Sequence, residues 1–208
     1  MIALVDYGAG NLRNVQKALE HVGARVTLTD EPEQLAAADK IVLPGVGAFA
    51  DCRRGLIERG LFEPLRALAQ AGKPLLGICV GMQLLFEVGE EMGEWEGLGL
   101  IPGRVVRFAG APFEGANALK VPHIGWNQLH PVRADHPLLR NIRADSYAYF
   151  VHSYHACVFS STCVVATTDY GYEFPSIVAK DNIWGLQFHP EKSQDTGLQL
   201  LKNFVELG

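Results

Sequence analysis

The 208-residue sequence lacks three features that would indicate large classes of function. It has no block of basic residues, and 18 Lys and Arg against 23 Asp and Glu give a net charge of −5, which argues against non-specific binding of nucleic acid or anionic membranes. No apolar run is long enough to span a membrane. No phosphate loop of the G-x-x-x-x-G-K-[ST] type is present, so nothing indicates nucleotide activation.

Cysteine is scarce, and its spacing favours neither a metal site nor a disulfide. The four cysteines form no C-x-x-C pair, and none stands at zinc-finger spacing to a histidine. The first seven residues are largely apolar without a basic start, which indicates a first strand rather than a signal peptide. We therefore expect a cytoplasmic protein without structural disulfides, in which Cys52, Cys157 and Cys163 are small buried apolar side chains.

Two further patterns argue against a bound cofactor or metal. Gly8-Ala9-Gly10 follows the first strand, as in a dinucleotide-binding loop, but Arg13 stands where the third glycine of G-x-G-x-x-G belongs. His152 and His155 are three residues apart in a strand-like segment, so they are predicted to lie on opposite faces. Neither a cofactor nor a metal ion is predicted.

Alternating strand and helix patterns predict an α/β fold with a mostly parallel central sheet. In the first half, strand-like segments are 2–6, 24–29, 41–43 and 75–78, and helical segments are 11–21 with Asn11 as N-cap, a helix starting near Pro32, 48–71 broken near Gly60, and 80–88. The second half adds strand-like segments at 101–108, 147–151, 156–159, 163–168, 177–179 and 183–188, and a closing helix at 198–207. These later strands predict an antiparallel section added to the sheet. Without a linker or repeat, residues 1–208 are predicted to form one domain.

The segment Gly77-Ile78-Cys79-Val80-Gly81-Met82-Gln83 has the strongest chemical pattern. It joins a predicted buried strand to a predicted helix, and a nucleophile at such a glycine-flanked turn is typical of a nucleophile elbow. Free N–H groups and the dipole at the start of the helix favour negative charge on the sulfur. The alternative is an inert, buried cysteine beside a loop glycine.

A second cluster, His189-Pro190-Glu191, follows the last predicted strand. It therefore lies at the carboxyl edge of the sheet, where open α/β folds place their sites. His189 could take the thiol proton of Cys79, and Glu191 could orient the imidazole, which gives a nucleophile, a base and an orienting group. Taken alone, the pair has the simpler interpretation of a surface His and Glu at a turn.

A third element, Leu43-Pro44-Gly45-Val46-Gly47, also ends a predicted strand. Its backbone N–H groups, together with the N–H of Val80, are candidates for binding the oxyanion that forms when a thiolate attacks a carbonyl. Losing one such donor typically costs on the order of 100- to 1000-fold in rate. A plain strand-to-helix turn is the competing interpretation.

These three motifs, in this order, resemble those of class I (triad-type) glutamine amidotransferases. Further segments resemble, within that family, the glutaminase subunits of imidazole glycerol phosphate synthase; they are 6–12, 120–127, 149–154 and 189–194. The resemblance covers essentially the whole chain and implies a three-layer fold with helices on both faces of the sheet. Relatives often have a second tyrosine where His155 stands, and on an exposed edge this difference is expected to be neutral.

The resemblance implies a reaction and a set of site residues. Cys79 attacks the side-chain amide of glutamine, and the glutamyl thioester is hydrolysed to glutamate after ammonia leaves, with His189 transferring protons and Glu191 orienting it. The implied substrate-binding residues are Gln83, Glu91, Ser153 and Tyr154. The implied oxyanion residues are Gly45, Val46, Gly47 and Val80.

The resemblance also implies a partner, because free ammonia in neutral water is mostly protonated and a poor nucleophile. In the family the partner is a cyclase subunit, a (β/α)8 barrel, which makes imidazole glycerol phosphate and an aminoimidazole carboxamide ribonucleotide in histidine biosynthesis. A heterodimer is therefore expected. The candidate docking residues are Asn11, Asn14, Trp126 and Lys192. Core packing is the alternative for Trp126, and a solvated surface charge is the alternative for Lys192.

Three other functions stay open at this point. The chain could be the amidotransferase subunit of another synthase, of the anthranilate or aminodeoxychorismate type, but those relatives usually carry His where Met82 stands and lack the 120–127 segment. It could be a catalytically inactive binding subunit, against which the intact Cys79, His189 and Glu191 argue. It could also be a standalone thiol hydrolase, for which we would expect hydrolysis without a partner.

Overall fold

An eight-stranded sheet organises the chain, of which the computed structural model describes residues 1–207. In spatial order the strands are β2 (Val26–Thr29), β1 (Ile2–Val5), β3 (Lys40–Gly45), β4 (Leu75–Cys79), β14 (Ile183–Leu186), β13 (Glu173–Lys180), β12 (Val164–Asp169) and β9 (His130–Pro131). The first five strands pair in parallel, and the last three continue the sheet through antiparallel pairs. The predicted mostly parallel sheet with an antiparallel section is confirmed.

The α-helices pack on the sheet in two groups. The helices are α1 (Leu12–His21), α2 (Pro32–Ala37), α3 (Phe49–Glu58), α4 (Phe62–Gln70), α5 (Val80–Gln83) and α6 (Gln194–Glu206). Helix α1 packs against α6, whereas α2 and α3 pack against α4. In a right-handed crossover, the face on which the helix lies depends on the direction in which the chain moves along the sheet. The chain moves one way through α1, from β1 to β2, and the other way through α2, α3 and α4, so the two groups of helices cover opposite faces. The predicted three-layer α/β fold is confirmed.

Two smaller sheets come from the middle of the chain. One pairs β8 (His123–Gln128) with β10 (Tyr147–His152), and the other has the order β11 (Tyr154–Val158), β7 (Ile101–Arg107), β5 (Phe86–Gly89) and β6 (Trp95–Glu96). Strand β8 is absent from the sequence-based prediction. Strand β13 and helix α6 each begin four residues earlier than predicted, at Glu173 and Gln194.

The predicted helix over 80–88 is wrong. Helix α5 ends at Gln83, and the chain then enters strand β5, where Phe86 pairs with Ile101 of β7. Leu84, Leu85 and Phe86 are all buried. A short, fully buried apolar run has no periodicity that separates helix from strand, so the pairing with β7 decides its structure. Asn11 directly precedes α1 as predicted, but its side chain makes no capping hydrogen bond.

Two predictions about individual side chains are also wrong. Cys157 is exposed, because it lies on the outer side of β11 next to the buried Ala156, whereas Cys52 and Cys163 are buried as predicted. His155 is buried rather than on an exposed edge. The prediction that His152 and His155 lie on opposite faces of one strand fails as well. Both rings approach Phe108, with centroids 5.3 and 4.6 Å from its ring, because Ser153 separates two strands of different sheets.

The central strands are buried along their length. All residues of β1, β4 and β14 are buried, which is typical of parallel strands covered by helices on both faces. No helix within residues 1–207 combines the length and the apolar character that crossing a membrane requires. The parallel register places Gly45 of β3 beside Cys79 of β4, and Leu186 of β14 beside Ile78. Three strand ends therefore meet at one edge of the sheet.

Candidate active site

Cys79 lies at the strained turn between β4 and α5. Its φ of 55° and ψ of −113° fall in a region that L-amino acids rarely adopt. The following turn presses against neighbouring backbone: a Cβ on Gly81 would lie 1.9 Å from the Leu43 carbonyl oxygen, and a Cβ on Gly77 would lie 2.5 Å from the Gly81 carbonyl oxygen. The glycines are needed for this close approach, which holds the cysteine in its strained conformation.

His189 and Glu191 lie beyond the end of β14, the neighbour of β4. His189 Nδ1 and Glu191 Oε1 are 2.9 Å apart, and both side chains are almost completely buried. The backbone is fixed as well, because His189 N donates to Tyr149 O at 3.0 Å and Ser193 Oγ donates to His189 O at 2.7 Å. The imidazole is therefore held at Nδ1 by Glu191, and the backbone that carries the ring is fixed by its own hydrogen bonds.

The electrostatic environment of His189 favours its protonated form. Burial by itself lowers the pKa of His189, but the Cys79 sulfur and the Glu191 carboxylate, as hydrogen-bonding partners and as negative charges, raise it from 6.5 to about 10. The imidazolium is thus the form that this site stabilises at neutral pH. A protonated imidazole beside the sulfur can stabilise a thiolate and can later donate a proton to a leaving nitrogen.

A cavity of about 290 Å³ opens over these groups. This volume is near the lower end of the roughly 300–1,000 Å³ range of small-molecule sites. Of the residues predicted for the site, those that line the cavity are Cys79, His189, Val46, Gly47, Val80, Gln83, Glu91, Ser153 and Tyr154. Neither Glu191, which contacts His189, nor Gly45 lines the cavity. Three further lining residues were not predicted: Pro122, Val151 and His152.

The glycine-rich segment predicted to bind the oxyanion, residues 44–47, is here called the oxyanion segment; it comprises the last two residues of β3, where Gly45 pairs with Cys79, and the two residues that follow. A Cβ on Gly45 would lie 2.5 Å from the Gly81 nitrogen, so this segment also depends on a bare Cα. Beyond Gly45 the packing is looser: Val46 is 40% exposed, and a Cβ on Gly47, which has a φ of 93°, would meet nothing within 4 Å. The segment therefore lies beside Cys79, with one closely packed end at Gly45 and one open end at Gly47.

Gln83 connects the turn after Cys79 to the opposite wall of the cavity. Its Nε2 donates to Tyr154 O at 2.9 Å and to Gln187 Oε1 at 3.2 Å. The Ser153-Tyr154 wall is thereby tied to helix α5. Glu91 reaches the cavity from the loop after β5, and its Oε2 accepts a hydrogen bond from Phe49 N at 2.8 Å. A carboxylate fixed in this way can bind a substrate ammonium group.

His152 belongs to a hydrogen-bonded chain that sequence reasoning missed. His152 Nδ1 donates to Tyr154 O at 2.8 Å, so its Nε2 accepts from His123 Nδ1 at 3.1 Å. His123 Nε2 in turn accepts from Asn127 Nδ2 at 3.2 Å. Burial lowers the pKa of His152 to about 3 and that of His123 to about 4, so both rings are neutral at physiological pH. These hydrogen bonds join the cavity wall at His152 to strand β8.

The predicted docking residues lie around the edge of the sheet at which the cavity opens. Trp126 is 47% exposed, so its alternative of core packing is wrong. Its ring packs edge-on against Tyr149 with a centroid distance of 6.0 Å, and Lys192 Nζ lies 5.7 Å from the centroid of the same tyrosine ring. Asn14 is exposed and Asn11 is partly buried at the start of α1, which contacts the 190–192 segment.

Comparison with known proteins identifies the family of the chain. Residues 3–207 match the class I glutamine amidotransferase family. Among curated relatives, the imidazole glycerol phosphate synthase subunit HisH of Salinibacter ruber is 53% identical over 100% of this chain and 94% of the relative. The protein described by the same words in Syntrophotalea carbinolica is 49% identical over 100% of both chains.

Solved structures show the same fold at much lower identity. A crystal structure described as a glutamine amidotransferase has a TM-score of 0.75 at 19% identity, covering 99% of this chain and 100% of that one. PurLQS from Thermotoga maritima has a TM-score of 0.73 at 19% identity, covering 98% of this chain and 96% of that one. Given the family match along almost its whole length, the chain belongs to the class I glutamine amidotransferases.

Proposed function

We propose that this chain is the glutamine-hydrolysing subunit of an imidazole glycerol phosphate synthase. The observation that carries the proposal is the convergence of Cys79, His189 and the oxyanion segment on one cavity of about 290 Å³, with Glu191 buried behind the histidine. Full-length relatives that are 49–53% identical and described as subunits of this synthase support the choice of reaction.

The reaction follows from the arrangement of these groups. The Cys79 sulfur attacks the side-chain carbonyl carbon of glutamine, and the negative charge that develops on the oxygen is bound by backbone N–H groups of Val46, Gly47 and Val80, which line the cavity, whereas Gly45 supports the segment from outside it. His189, held as imidazolium by its neighbours, donates a proton to the nitrogen, and ammonia leaves. The neutral imidazole then takes a proton from water, which attacks the thioester and releases glutamate. Glu191 orients the ring through both steps.

The amino-acid end of glutamine is held at the far side of the cavity. Glu91 supplies a fixed carboxylate for the ammonium group, and Ser153 and Tyr154 bind the α-carboxylate. Gln83 contacts the substrate from helix α5 and holds the Tyr154 carbonyl in place. This division leaves the amide end beside Cys79.

The ammonia is delivered to a separate cyclase subunit with a (β/α)8 barrel, which docks on the edge of the sheet where Trp126, Lys192, Asn11 and Asn14 lie. Direct transfer keeps the ammonia unprotonated, whereas in bulk water at neutral pH most of it would be protonated. The cyclase makes imidazole glycerol phosphate and an aminoimidazole carboxamide ribonucleotide in histidine biosynthesis, and the heterodimer works in the cytoplasm.

Glutamine hydrolysis by this chain alone and in complex with the cyclase and its ribonucleotide ligand tests the proposal. We expect a low rate for the isolated chain and a large rise in the complex. A Cys79→Ala complex should lose glutamine-dependent synthesis but keep synthesis from ammonium salts. Rapid hydrolysis that no partner changes would contradict the subunit role, and stimulation by the anthranilate-type partner instead would move the chain to another synthase.

A further inference from the structure

Two buried side chains donate hydrogen bonds to the oxyanion segment from the side away from the cavity. Tyr7, which follows β1 and is 1% exposed, donates its hydroxyl hydrogen to Pro44 O at 2.5 Å. Cys52, in α3 and 0% exposed, donates its thiol hydrogen to Val46 O at 3.3 Å. Neither side chain lines the cavity. Both carbonyls that they hold belong to peptide groups of the segment.

These contacts fix the directions of the segment's N–H groups. In a planar trans peptide the C=O and the next N–H point in opposite directions. Holding Pro44 O therefore orients the N–H of Gly45, and holding Val46 O orients the N–H of Gly47. Val46 O points toward buried Cys52, so the N–H of Gly47 points away from it, on the side of the cavity that Gly47 lines.

The segment has little else to hold its open end. Val46 is 40% exposed, and the space around a Gly47 Cβ is empty to 4 Å. Tyr7, in contrast, is firmly placed on α3, because its carbonyl accepts from Arg59 Nη1 at 2.7 Å and a Cβ on Gly55 would lie 2.7 Å from the same oxygen. Helix α3 thus supports both donors. They stay protonated at neutral pH, since burial raises the pKa of Tyr7 well above its ordinary value and raises that of Cys52 to about 11.

We propose that Tyr7 and Cys52 are positioning residues for glutamine hydrolysis, which hold the 44–45 and 46–47 peptide groups and thereby keep the N–H groups of Val46 and Gly47 in the orientation that binds the oxyanion. They act through backbone N–H groups and do not touch the substrate. The inference rests on the proposed hydrolysis of glutamine by this chain, and it assigns a function to Cys52 that its burial alone does not require.

The test uses the complex with the cyclase and its nucleotide ligand, and compares Tyr7→Phe, Cys52→Ala and Cys52→Ser. Tyr7→Phe and Cys52→Ala each lower kcat for glutamine roughly 10-fold, less than the ~100- to 1000-fold cost of losing an oxyanion donor outright, because the second anchor remains. KM for glutamine stays within about 2-fold, since ground-state binding is not affected. Cys52→Ser, which restores a donor of similar size, keeps most of the wild-type kcat.

A second readout separates positioning from packing. Alkylation of Cys79 by iodoacetamide requires the nucleophilic sulfur but forms no oxyanion. Peptide mass spectrometry follows the reaction at Cys79 itself, so that alkylation of exposed Cys157 does not interfere. The rate of Cys79 alkylation stays at the wild-type value in Tyr7→Phe and Cys52→Ala, as does synthesis from ammonium salts.

Three outcomes overturn the inference. Wild-type kcat in both Tyr7→Phe and Cys52→Ala removes it and leaves glutamine hydrolysis intact. Parallel losses of kcat and of the alkylation rate assign the substituted residue to packing, and equal losses of kcat in Cys52→Ala and Cys52→Ser assign Cys52 to packing. A wild-type complex that hydrolyses no glutamine overturns the proposed function and this inference together.

Discussion

The Cα of Gly81 packs against the carbonyl oxygen of Leu43 so closely that a Cβ on Gly81 would lie 1.9 Å from that oxygen. This contact presses the turn that follows Cys79 onto the end of β3, from which the oxyanion segment continues. Because the oxygen belongs to backbone inside a sheet, it cannot rotate away as a side chain could. The position of Cys79 relative to the segment therefore depends on glycine, which has no Cβ, at residue 81.

Gly81→Ala should be strongly destabilising. The added methyl group forces the turn away from β3, and because the obstacle is backbone we expect a loss above the about 1–3 kcal/mol that is typical of overpacking. Gly23→Ala is the matched control, because its φ of 92° is strained for alanine but a Cβ there meets nothing within 4 Å. That control should lose only about 1–2 kcal/mol. Denaturant unfolding of both variants checks the comparison, and equal losses would contradict the close contact.

Glu191→Gln should slow glutamine hydrolysis and change its pH dependence. The carboxylate helps to raise the pKa of His189 to about 10, so its loss lets burial lower that pKa and depletes the imidazolium as the pH rises. The alkaline limb of kcat/KM should move to lower pH, and kcat at neutral pH should fall about 100-fold. Glu58→Gln, at an exposed carboxylate of α3, is the control and should leave the profile unchanged. An unshifted alkaline limb in Glu191→Gln would contradict the role of the Glu191 carboxylate in raising the pKa of His189.

The buried pair His123 and His152 should make the protein sensitive to acid. Burial lowers their pKa values to about 4 and about 3, so the folded protein keeps them neutral while the unfolded chain takes up protons below about 6.5. The free energy of unfolding should therefore fall as the pH drops from about 6.5 toward 4, by up to about 1.4 kcal/mol per pH unit for each histidine. His123→Gln should make this decline shallower, and Gln128→Ala, a non-titrating change in the same strand, should not. Equal slopes in His123→Gln and wild type, from urea unfolding at several pH values, would contradict the assignment.

Much of this fold follows from local sequence patterns. The buried strands β1, β4 and β14 are apolar runs that end in glycine, cysteine or histidine motifs, and parallel strands bring such ends to one edge. For that reason Cys79 and His189, 110 positions apart in the sequence, could be predicted to meet. Strand β5 could not be predicted, because the buried apolar run from Leu84 to Phe86 has no hydrophobic periodicity. Only its pairing with β7 makes it a strand.

Long-range pairing also explains what was missed around the cavity. The bond between His123 and His152 joins residues 29 positions apart, and Glu91 is fixed by the backbone of Phe49, 42 positions away. No periodicity in the sequence reports such contacts. The contacts of Tyr7 and Cys52 with the oxyanion segment are of the same kind, since the two residues had appeared in the sequence only as part of a strand end and as a small apolar side chain.

Trp126→Ala should weaken docking of the cyclase without affecting the fold. Trp126 is 47% exposed and packs on Tyr149, so a partner that covers it would bury a large aromatic surface, and such anchors contribute about 2 kcal/mol or more. We expect a roughly 30-fold increase in Kd for the complex by isothermal titration calorimetry, with an unchanged unfolding midpoint. Phe159→Ala removes an aromatic side chain that is 66% exposed elsewhere, and should leave Kd unchanged. Equal effects of the two changes would place the docking surface elsewhere.

The covalent intermediate tests the central claim most directly. The complex with the cyclase should be mixed with glutamine, quenched in acid within the first turnovers, digested and examined by peptide mass spectrometry. We predict a γ-glutamyl thioester on the peptide that contains Cys79, and its absence from the Cys79→Ser complex. Turnover of glutamine with no acyl group on Cys79, or with an acyl group on Cys52, Cys157 or Cys163 instead, would contradict the account.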